Sequence, residues 1–144
     1  MRWQGVFVLA FCICINAKSQ NLVPNFSFEI FSTCPSFGNQ LSLATGWFSA
    51  SIATPDYFNS CNVGLVGVPA NAAGNELAKT GNAYAGFFAK ANSNEREYIE
   101  ILLTDSLVSG KKYCVEFYVS LSDLVGTAVN KLGAYFSNTQ VFVS

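Results

Sequence analysis

The sequence predicts an all-β protein, built as an antiparallel sandwich of two sheets. Helical periodicity is hard to find along the chain, whereas short β-rich runs of alternating apolar and polar residues recur. Gly, Asn, Ser and Pro, which favour turns, bound these runs. Hydrophobic residues make up 51% of the 144 residues and charged residues only 12%. This composition fits one globular domain and excludes a disordered chain.

The N-terminus has the three-part layout of a secretory signal peptide. Arg2 precedes a continuous apolar run, Gly5–Ile15, and the small residue Ala17 follows it. The run is too short to cross a bilayer. We therefore expect a cleaved signal peptide at 1–19 and a secreted β-sandwich module at 20–144. The mature chain is expected in the periplasm, on the outer membrane or at the cell surface, without spanning a membrane.

Several runs in the second half of the chain are predicted as strands. The clearest is Tyr113–Leu121, in which every second residue is apolar, so that one face points into the core and the other is wetter. The same alternation predicts further strands at Ala83–Ala89, Tyr98–Leu103, Leu132–Ser137 and Gln140–Val143. Because the sequence stops inside this last apolar run, we expect the sandwich to be incomplete at its C-terminus.

The region from Ser32 to Asn82 is predicted to be rich in loops, since Gly, Ser, Asn, Ala and Pro dominate it. Scattered aromatic residues interrupt it, among them Trp47, Tyr57 and Phe58. Such side chains either line the edge of a ligand site or pack beneath the loops. We expect packing, because it is the more economical role.

Three of the five cysteines remain after removal of the signal peptide. Cys34 and Cys61 lie in turn-rich stretches, and an oxidising compartment favours a bridge between them. That bridge would close a loop of roughly 26 residues and stabilise the fold by about 3 kcal/mol. Cys114 lies within the predicted strand Tyr113–Leu121, where we expect a partly buried free thiol. A reactive or intermolecular role for Cys114 is the alternative.

Composition excludes several classes of function. The sequence has no histidine, which removes Ser-His-Asp and Cys-His catalytic pairs and histidine-ligated zinc. A net charge of -1 argues against nucleic acid as a partner. Glu100 and Glu116 would suit a glycosidase only if their carboxylates lay about 5–10 Å apart. Because no signature flanks them, we expect a protein that is not an enzyme.

Tyrosines and glutamates on the outward face of the predicted strands form a candidate glycan site. Aromatic rings stack on the apolar faces of sugars, and carboxylates accept hydrogen bonds from sugar hydroxyls. The alternative is that these residues only cover the outer face, where Tyr packs well and Glu keeps the sheet soluble. The candidate ligand-binding residues are Tyr84, Glu100, Glu116, Tyr118 and Tyr135.

A set of motifs resembles the N-terminal module of secreted cell-envelope proteins of Bacteroidota. The motifs include NLVPNFSFE just after the signal peptide, TPDYFNSC, TGNAYAGFF and REYIEILLTDSLVSGKKYCVEFYVSLSD. In that family the module often precedes an OmpA-like peptidoglycan-binding domain, or a gliding-motility or type IX secretion sorting domain. Phe26 stands where the family usually has Pro. More distantly, the NxSFE start and the YCVEFYVS run are similar to galactose-binding-like jelly-roll carbohydrate-binding modules.

The resemblance implies a galactose-binding-like jelly roll acting as a non-catalytic surface or envelope module that binds glycan or a cell-surface protein. It further implies that Glu29, from the first-strand motif of such modules, helps to bind a structural calcium. Calcium needs six to eight oxygens, so backbone carbonyls and another acidic residue would have to contribute. The alternative for Glu29 is a solvated or capping carboxylate. The alternatives for function are a structural spacer of an outer-membrane-associated protein and an accessory domain of a glycoside hydrolase.

Overall fold

The structure is a computed structural model that describes residues 20–91 and 95–143. The predicted signal peptide at 1–19 lies outside the described residues. Almost all the regular elements are β-strands, which confirms the all-β class. A 3-10 helix at Leu41–Leu43 is followed by β1 (Trp47–Ser49), β2 (Asp56–Asn59), β3 (Ala70–Asn71), β4 (Gly74–Asn75), β5 (Ala83–Gly86) and β6 (Ile99–Ile101).

The six strands form three separate antiparallel pairs within the described residues. Strand β1 pairs with β6, β2 with β5, and β3 with β4. The pairs are nested, so the chain doubles back on itself around the short β3–β4 hairpin. The hairpin therefore lies at the turning point of the fold, and the strands on either side of it meet in reverse order. The two larger sheets of a sandwich are not seen in this arrangement.

Two of the predicted strands are confirmed in shortened form. Strand β5 occupies the first four residues of the run Ala83–Ala89, and β6 lies inside Tyr98–Leu103. The expected alternation of burial is not seen within the strands, since three of the four residues of β5 and all three of β6 are half-buried. A half-buried strand between two environments is the situation that an alternating sequence predicts best.

The strongest strand prediction is wrong. Tyr113–Leu121 pairs with no other strand among the described residues, and neither does Leu132–Ser137. In Gln140–Val143 only one isolated bridge forms, between Val143 and Ser51. Alternation determines which side chains share a face, but a strand also needs a neighbouring backbone to accept its hydrogen bonds. The row expected to face the core is 42–61% exposed: Tyr113, Val115, Phe117, Val119 and Leu121.

The core lies instead in the region predicted to be loop-rich. Ala44 and Tyr57 are fully buried there and meet Ala83 from β5. Trp47 packs against this cluster and stacks on Phe28, with 4.7 Å between the ring centroids. The region between Ser32 and Asn82 is rich in loops, as predicted, but it also contains four of the six short strands, which the sequence did not indicate. The expected packing role of the aromatic residues there is confirmed.

The predicted disulfide is present. Cys34 and Cys61 are bridged, with their Cα atoms 6.0 Å apart. The side chain of Asn62 reinforces the link, because its Nδ2 donates to the carbonyl of Pro35 at 3.0 Å. Cys114 is free, as predicted, but it is exposed and outside any sheet, so the prediction of partial burial in a strand is wrong.

The N-terminal NxSFE motif forms a turn, although the resemblance implied a first strand. Asn25 and Phe28 have positive φ angles of 46° and 62°, which a strand cannot contain. The amide of Asn25 donates to the carbonyls of Ile30 and Thr45 at 2.8 and 2.9 Å. Asn25 also accepts, through its own carbonyl, the indole N–H of Trp47 at 2.9 Å. The motif thus anchors the turn around Asn25 to β1 through side-chain hydrogen bonds.

Candidate ligand-binding surface

The segment 116–123 lies along the β3–β4 hairpin and the residues that follow it. The two segments run in opposite directions: Tyr118, Ser120 and Ser122 contact Lys79, Glu76 and Ala73 in turn, so residue numbers increase along one segment as they decrease along the other. Four contacts join them: the Nζ of Lys79 over the ring of Tyr118 at 4.2 Å, Ser120 Oγ to Glu76 Oε2 at 2.6 Å, Ser122 Oγ to the carbonyl of Ala73 at 2.5 Å, and the N–H of Asn75 to Asp123 Oδ2 at 2.8 Å. Side chains, rather than a backbone ladder, hold this part of the chain in place.

The side chains of Tyr118, Ser120 and Ser122 all point toward the hairpin. A repeat of two residues is the signature of an extended chain, in which successive side chains lie on opposite sides. The predicted alternation of the run is therefore real, although it has no strand partner. We call the exposed group formed by Lys79, Glu116 and Tyr118, with Glu76 beside it, the Tyr118 surface.

Tyr118 is the most accessible aromatic group of this surface. Its side chain is 63% exposed, and its hydroxyl donates to Glu116 Oε1 at 2.5 Å. That hydrogen bond and the negative charge of Glu116 raise the pKa of Tyr118. The phenol therefore stays protonated at neutral pH, and one carboxylate oxygen of Glu116 is held against it. A cation, a carboxylate and an aromatic ring are thus brought together at one exposed position.

Tyr84 joins this surface to the interior. Its ring packs against Phe58, with 5.1 Å between centroids, and its hydroxyl accepts the Nδ2–H of Asn71 at 2.6 Å. Burial raises the pKa of Tyr84, the hydrogen bond from Asn71 lowers it, and the charges of Glu76 and Asp123 raise it. Tyr84 therefore lies within electrostatic reach of the hairpin carboxylates. Half-buried in this way, it is an anchor for the hairpin rather than an open stacking platform.

The structure brings together only part of the predicted ligand-binding set. Glu116 and Tyr118 are in direct contact, and Tyr84 reaches the same hairpin from inside. Glu100 lies on β6, where both of its carboxylate oxygens accept the N–H of Val141 at 3.2 and 3.3 Å. Tyr135 is 81% exposed. No contact among the described residues joins Glu100 or Tyr135 to the Tyr118 surface.

Sequence reasoning missed the hairpin side of the surface. Asn71, Glu76 and Lys79 lie in the stretch expected to be a loop, and no alternation marks them. The nearest signal is Gly74, whose φ of 138° is rarely adopted by other residues. A Cβ at Gly74 would lie 2.6 Å from Asp123 Oδ2, so this glycine permits the close approach of the two segments.

Glu29, the predicted calcium ligand, caps a turn. Its Oε1 accepts the N–H of Asn82 at 2.8 Å, immediately before β5. Its carboxylate lies against Gly81, which has a φ of 71° and no side chain to obstruct the approach. Within the described residues, no three or more His, Cys, Asp or Glu side chains are close enough to hold a metal ion. Calcium binding at Glu29 stays a prediction that would depend on backbone carbonyls.

Two apolar clefts lie beside these elements. The larger, of about 380 Å³, is lined by exposed residues on either side of β3: Val63, Gly64, Leu65, Ala70, Asn71 and Ala72. The smaller, of about 130 Å³, lies between Val119–Leu121 and the segment containing Ala128, Val129 and Leu132. Because Tyr118, Ser120 and Ser122 contact the hairpin side, the odd-numbered row of the extended run lies on the other side.

Comparison of the chain with protein-family models, with curated proteins and with solved structures gave no match. In the part of the chain that the structure describes, no helix has the length and apolar character needed to cross a bilayer.

Proposed function

We propose that this protein is a secreted, non-catalytic surface or envelope module that binds glycan through the Tyr118 surface. The observation that carries the proposal is the exposed ring of Tyr118, held between the carboxylate of Glu116 and the ammonium of Lys79. Protein sites for sugars combine an aromatic face with polar groups that fix orientation. The same three groups supply a ring for stacking, an acceptor for hydroxyl groups and a donor.

The arrangement of these groups is braced, which favours binding over a loose surface. Two hydrogen bonds join the extended run to the hairpin region: Ser120 donates to Glu76, and the N–H of Asn75 donates to Asp123. Asn71 fixes the hairpin to the hydroxyl of Tyr84, whose ring packs on Phe58 in β2. A platform held in this way loses less conformational entropy when a ligand binds.

Several finer expectations belong to the same proposal. The Cys34–Cys61 bridge is compatible with export to an oxidising compartment, which supports secretion. We propose the Bacteroidota envelope module as the family and a jelly-roll sandwich as the full architecture, on the strength of the quoted motifs and the antiparallel pairing. Titration calorimetry with calcium, on the protein and on its Glu29→Ala variant, tests the predicted ion site; identical isotherms would remove it.

The experiment for glycan binding compares matched aromatic variants. A glycan array that includes peptidoglycan fragments and neutral oligosaccharides identifies the strongest binder, and calorimetry then measures its affinity. We expect Tyr118→Ala to weaken binding about tenfold, since a stacked aromatic contact is worth about 0.5–1.5 kcal/mol beyond the area that it buries. Phe26→Ala is the control, because Phe26 is an aromatic of similar exposure, 61%, elsewhere in the chain. Affinity that survives Tyr118→Ala combined with Tyr84→Ala contradicts the proposed site.

The non-catalytic part of the proposal has its own test. If Glu100 and Glu116 acted as a glycosidase pair, the bound oligosaccharide would be cleaved and new reducing ends would appear. We expect none during prolonged incubation with the array's strongest binder. Release of reducing sugar that Glu116→Gln abolishes would show instead that the protein is an enzyme.

A protein partner is the second candidate ligand, and a separate observation favours it. The odd-numbered row from Tyr113 to Leu121 presents five apolar side chains at 42–61% exposure. A contiguous apolar row of this kind marks an interaction surface more often than a solvated one. Because this row faces away from the hairpin, a protein and a glycan would occupy different sides of the same extended run.

A further inference from the structure

We propose that the partner of the extended run is a second copy of this chain, paired antiparallel along Lys111–Phe117 with Cys114 opposite its own counterpart. The inference rests on the second candidate function, a protein partner, and not on glycan binding. In this proposal, the second copy pairs with a strand edge that has no backbone partner among the described residues.

The backbone of the run is available for pairing. Between residues 112 and 121, no backbone hydrogen bond to another part of the described chain forms, and every residue is exposed. A row of unsatisfied N–H and C=O groups is a template for strand addition. The N–H of Lys111 already donates to the carbonyl of Val108 at 3.2 Å. That bond closes a turn just before the run, so the backbone groups on both edges of residues 112–121 have no backbone partner in the described chain.

Alternation restricts the register of a self-paired strand. In an antiparallel pair of identical strands, residue numbers on opposite positions have a constant sum. Only an even sum places the apolar odd-numbered rows of both copies on one face of the joint sheet. An odd sum would set each apolar row beside the polar row of the other copy. The allowed registers are therefore those centred on a single residue.

The charges then select one of these registers. The run 111–121 carries three charged residues, Lys111, Lys112 and Glu116. Among even sums, only the register centred on Cys114 brings opposite charges together, since Lys112 then faces Glu116 of the second copy, twice by symmetry. Centring on Lys112 or on Glu116 would place like charges directly opposite. A parallel pair in register would place each of the three charged residues opposite the same residue of the second copy, and so like charges opposite each other at all three positions.

The selected register has further complementary contacts. On the apolar face Tyr113 lies opposite Val115 of the second copy, an aromatic and β-branched pair that stabilises sheets. Lys111 lies opposite Phe117 of the second copy, within reach of a cation–π contact. Opposed residues in an antiparallel pair have Cα atoms about 4.5–5.5 Å apart, and a disulfide needs about 4.4–6.8 Å. The two Cys114 thiols would therefore report on the register.

Sedimentation with charge reversal tests the pairing. Cys114 is replaced by Ser in every protein tested, which prevents covalent dimers and leaves the Cys34–Cys61 bridge intact. The association of this parent protein is compared with that of the same protein carrying Lys112→Glu, Glu116→Lys or both changes. We expect each single reversal to weaken association about tenfold, because it places like charges opposite each other at two positions. The double variant exchanges the two charges and should recover the original affinity. A parent protein that stays monomeric, or a double variant that does not recover, overturns the proposal.

Cross-linking tests the register independently. Added diamide, an azo oxidant, takes two protons and two electrons from two Cys114 thiols; one S–S bond forms and diamide becomes the hydrazine. We expect rapid covalent dimers of the wild-type protein. The control carries Cys114→Ser with Val119→Cys, a single thiol at a 61% exposed position of the same run that does not face its counterpart. Equal cross-linking of both proteins would overturn the register.

The outcome is separable from that of the glycan proposal. Val115 lies on the odd-numbered row, away from the Tyr118 surface, and is 50% exposed. Val115→Asp, which places a charge opposite Tyr113 of the second copy, should therefore weaken self-association and leave glycan affinity unchanged. Loss of self-association with intact glycan binding supports the pairing. A monomeric wild-type protein that binds glycan overturns the pairing alone, and a dimer without glycan affinity overturns the glycan site alone.

Discussion

Removing the hydroxyl of Tyr57 should expose how the small core is held. The side chain of Tyr57 is fully buried, and its hydroxyl donates to the carbonyl of Phe28 and accepts from Asn59 Nδ2, both at 2.8 Å. Burial raises the pKa of Tyr57, so the proton needed for the first bond is retained at all ordinary pH values. Among the described residues, no buried side-chain nitrogen or oxygen lacks a partner. Tyr57→Phe would create such a group.

The magnitude follows from the burial of the two partners. Asn59 is 3% exposed, so its amide cannot find water when the hydroxyl is removed. One buried donor left without an acceptor costs about 1–3 kcal/mol, and the lost bond to Phe28 adds about 1 kcal/mol. We expect Tyr57→Phe to lower the free energy of unfolding by about 2–4 kcal/mol, which corresponds to a fall in Tm of roughly 10 °C.

Urea denaturation followed by the fluorescence of Trp47 measures this change, because Trp47 packs against the same cluster. Tyr135→Phe is the matched control: it removes the same hydroxyl from a side chain that is 81% exposed, and it should change stability by less than about 0.5 kcal/mol. The m-values of all three proteins should agree. A Tyr57→Phe variant as stable as the control would refute the view that this hydroxyl joins the chain start to β2.

Three further perturbations probe other links in the fold. Replacing Cys34 and Cys61 with Ser should lower the free energy of unfolding by about 3 kcal/mol, and a urea midpoint equal to that of the oxidised protein would contradict this. Gly74→Ala should cost about 1–3 kcal/mol, since its φ is 138° and the new Cβ would meet Asp123; a double-mutant cycle with Asp123→Ala should recover the steric part alone. Burial raises the pKa of Glu97 above its ordinary value, although backbone N–H bonds oppose this, so the folded protein binds that proton more tightly. The resulting stabilisation is complete below the pKa of Glu97 in the unfolded chain and is lost as pH rises through the pKa in the folded protein. The free energy of unfolding, measured by denaturation at increasing pH from the acid range, should therefore fall, and Glu97→Gln should abolish this fall.

Alternation predicted a strand correctly only where the folded chain brings another strand close enough to pair with it. Alternation found the positions of β5 and β6 because each is half-buried, between the core and the solvent. The alternation of Tyr113–Leu121 is stronger, yet the run makes no backbone hydrogen bond to another segment of the described chain. Strands β1 and β2 were missed for the opposite reason, since they are only three and four residues long and lie among turn residues. Local pattern identifies a face, and long-range pairing decides whether the face becomes a sheet.

In the candidate site, too, contacts between residues close in sequence were predictable and contacts between distant segments were not. Glu116 and Tyr118 share a face in any extended chain, so their contact could be predicted from a separation of two residues. Lys79 and Glu76 come from the far side of the β3–β4 hairpin, about forty residues away in sequence, a distance over which alternation carries no information. The disulfide was predictable because composition marked both cysteines as loop residues in a chain with a predicted signal peptide.

The nested pairing explains how a small core can position a surface group at the end of the hairpin. Strand β5 pairs with β2 at the core, and Tyr84 in β5 extends from that pair to bond Asn71 in β3. Asn71 also donates to the carbonyl of Gly67 at 3.0 Å, which fixes the base of the hairpin on both sides. The hairpin then carries Glu76 and Lys79 to the extended run. Backbone pairing, side-chain hydrogen bonds and ring contacts thus connect the Tyr118 surface to the core through one identifiable series of contacts. The backbone edge of the run takes no part in that series, so it stays free to pair.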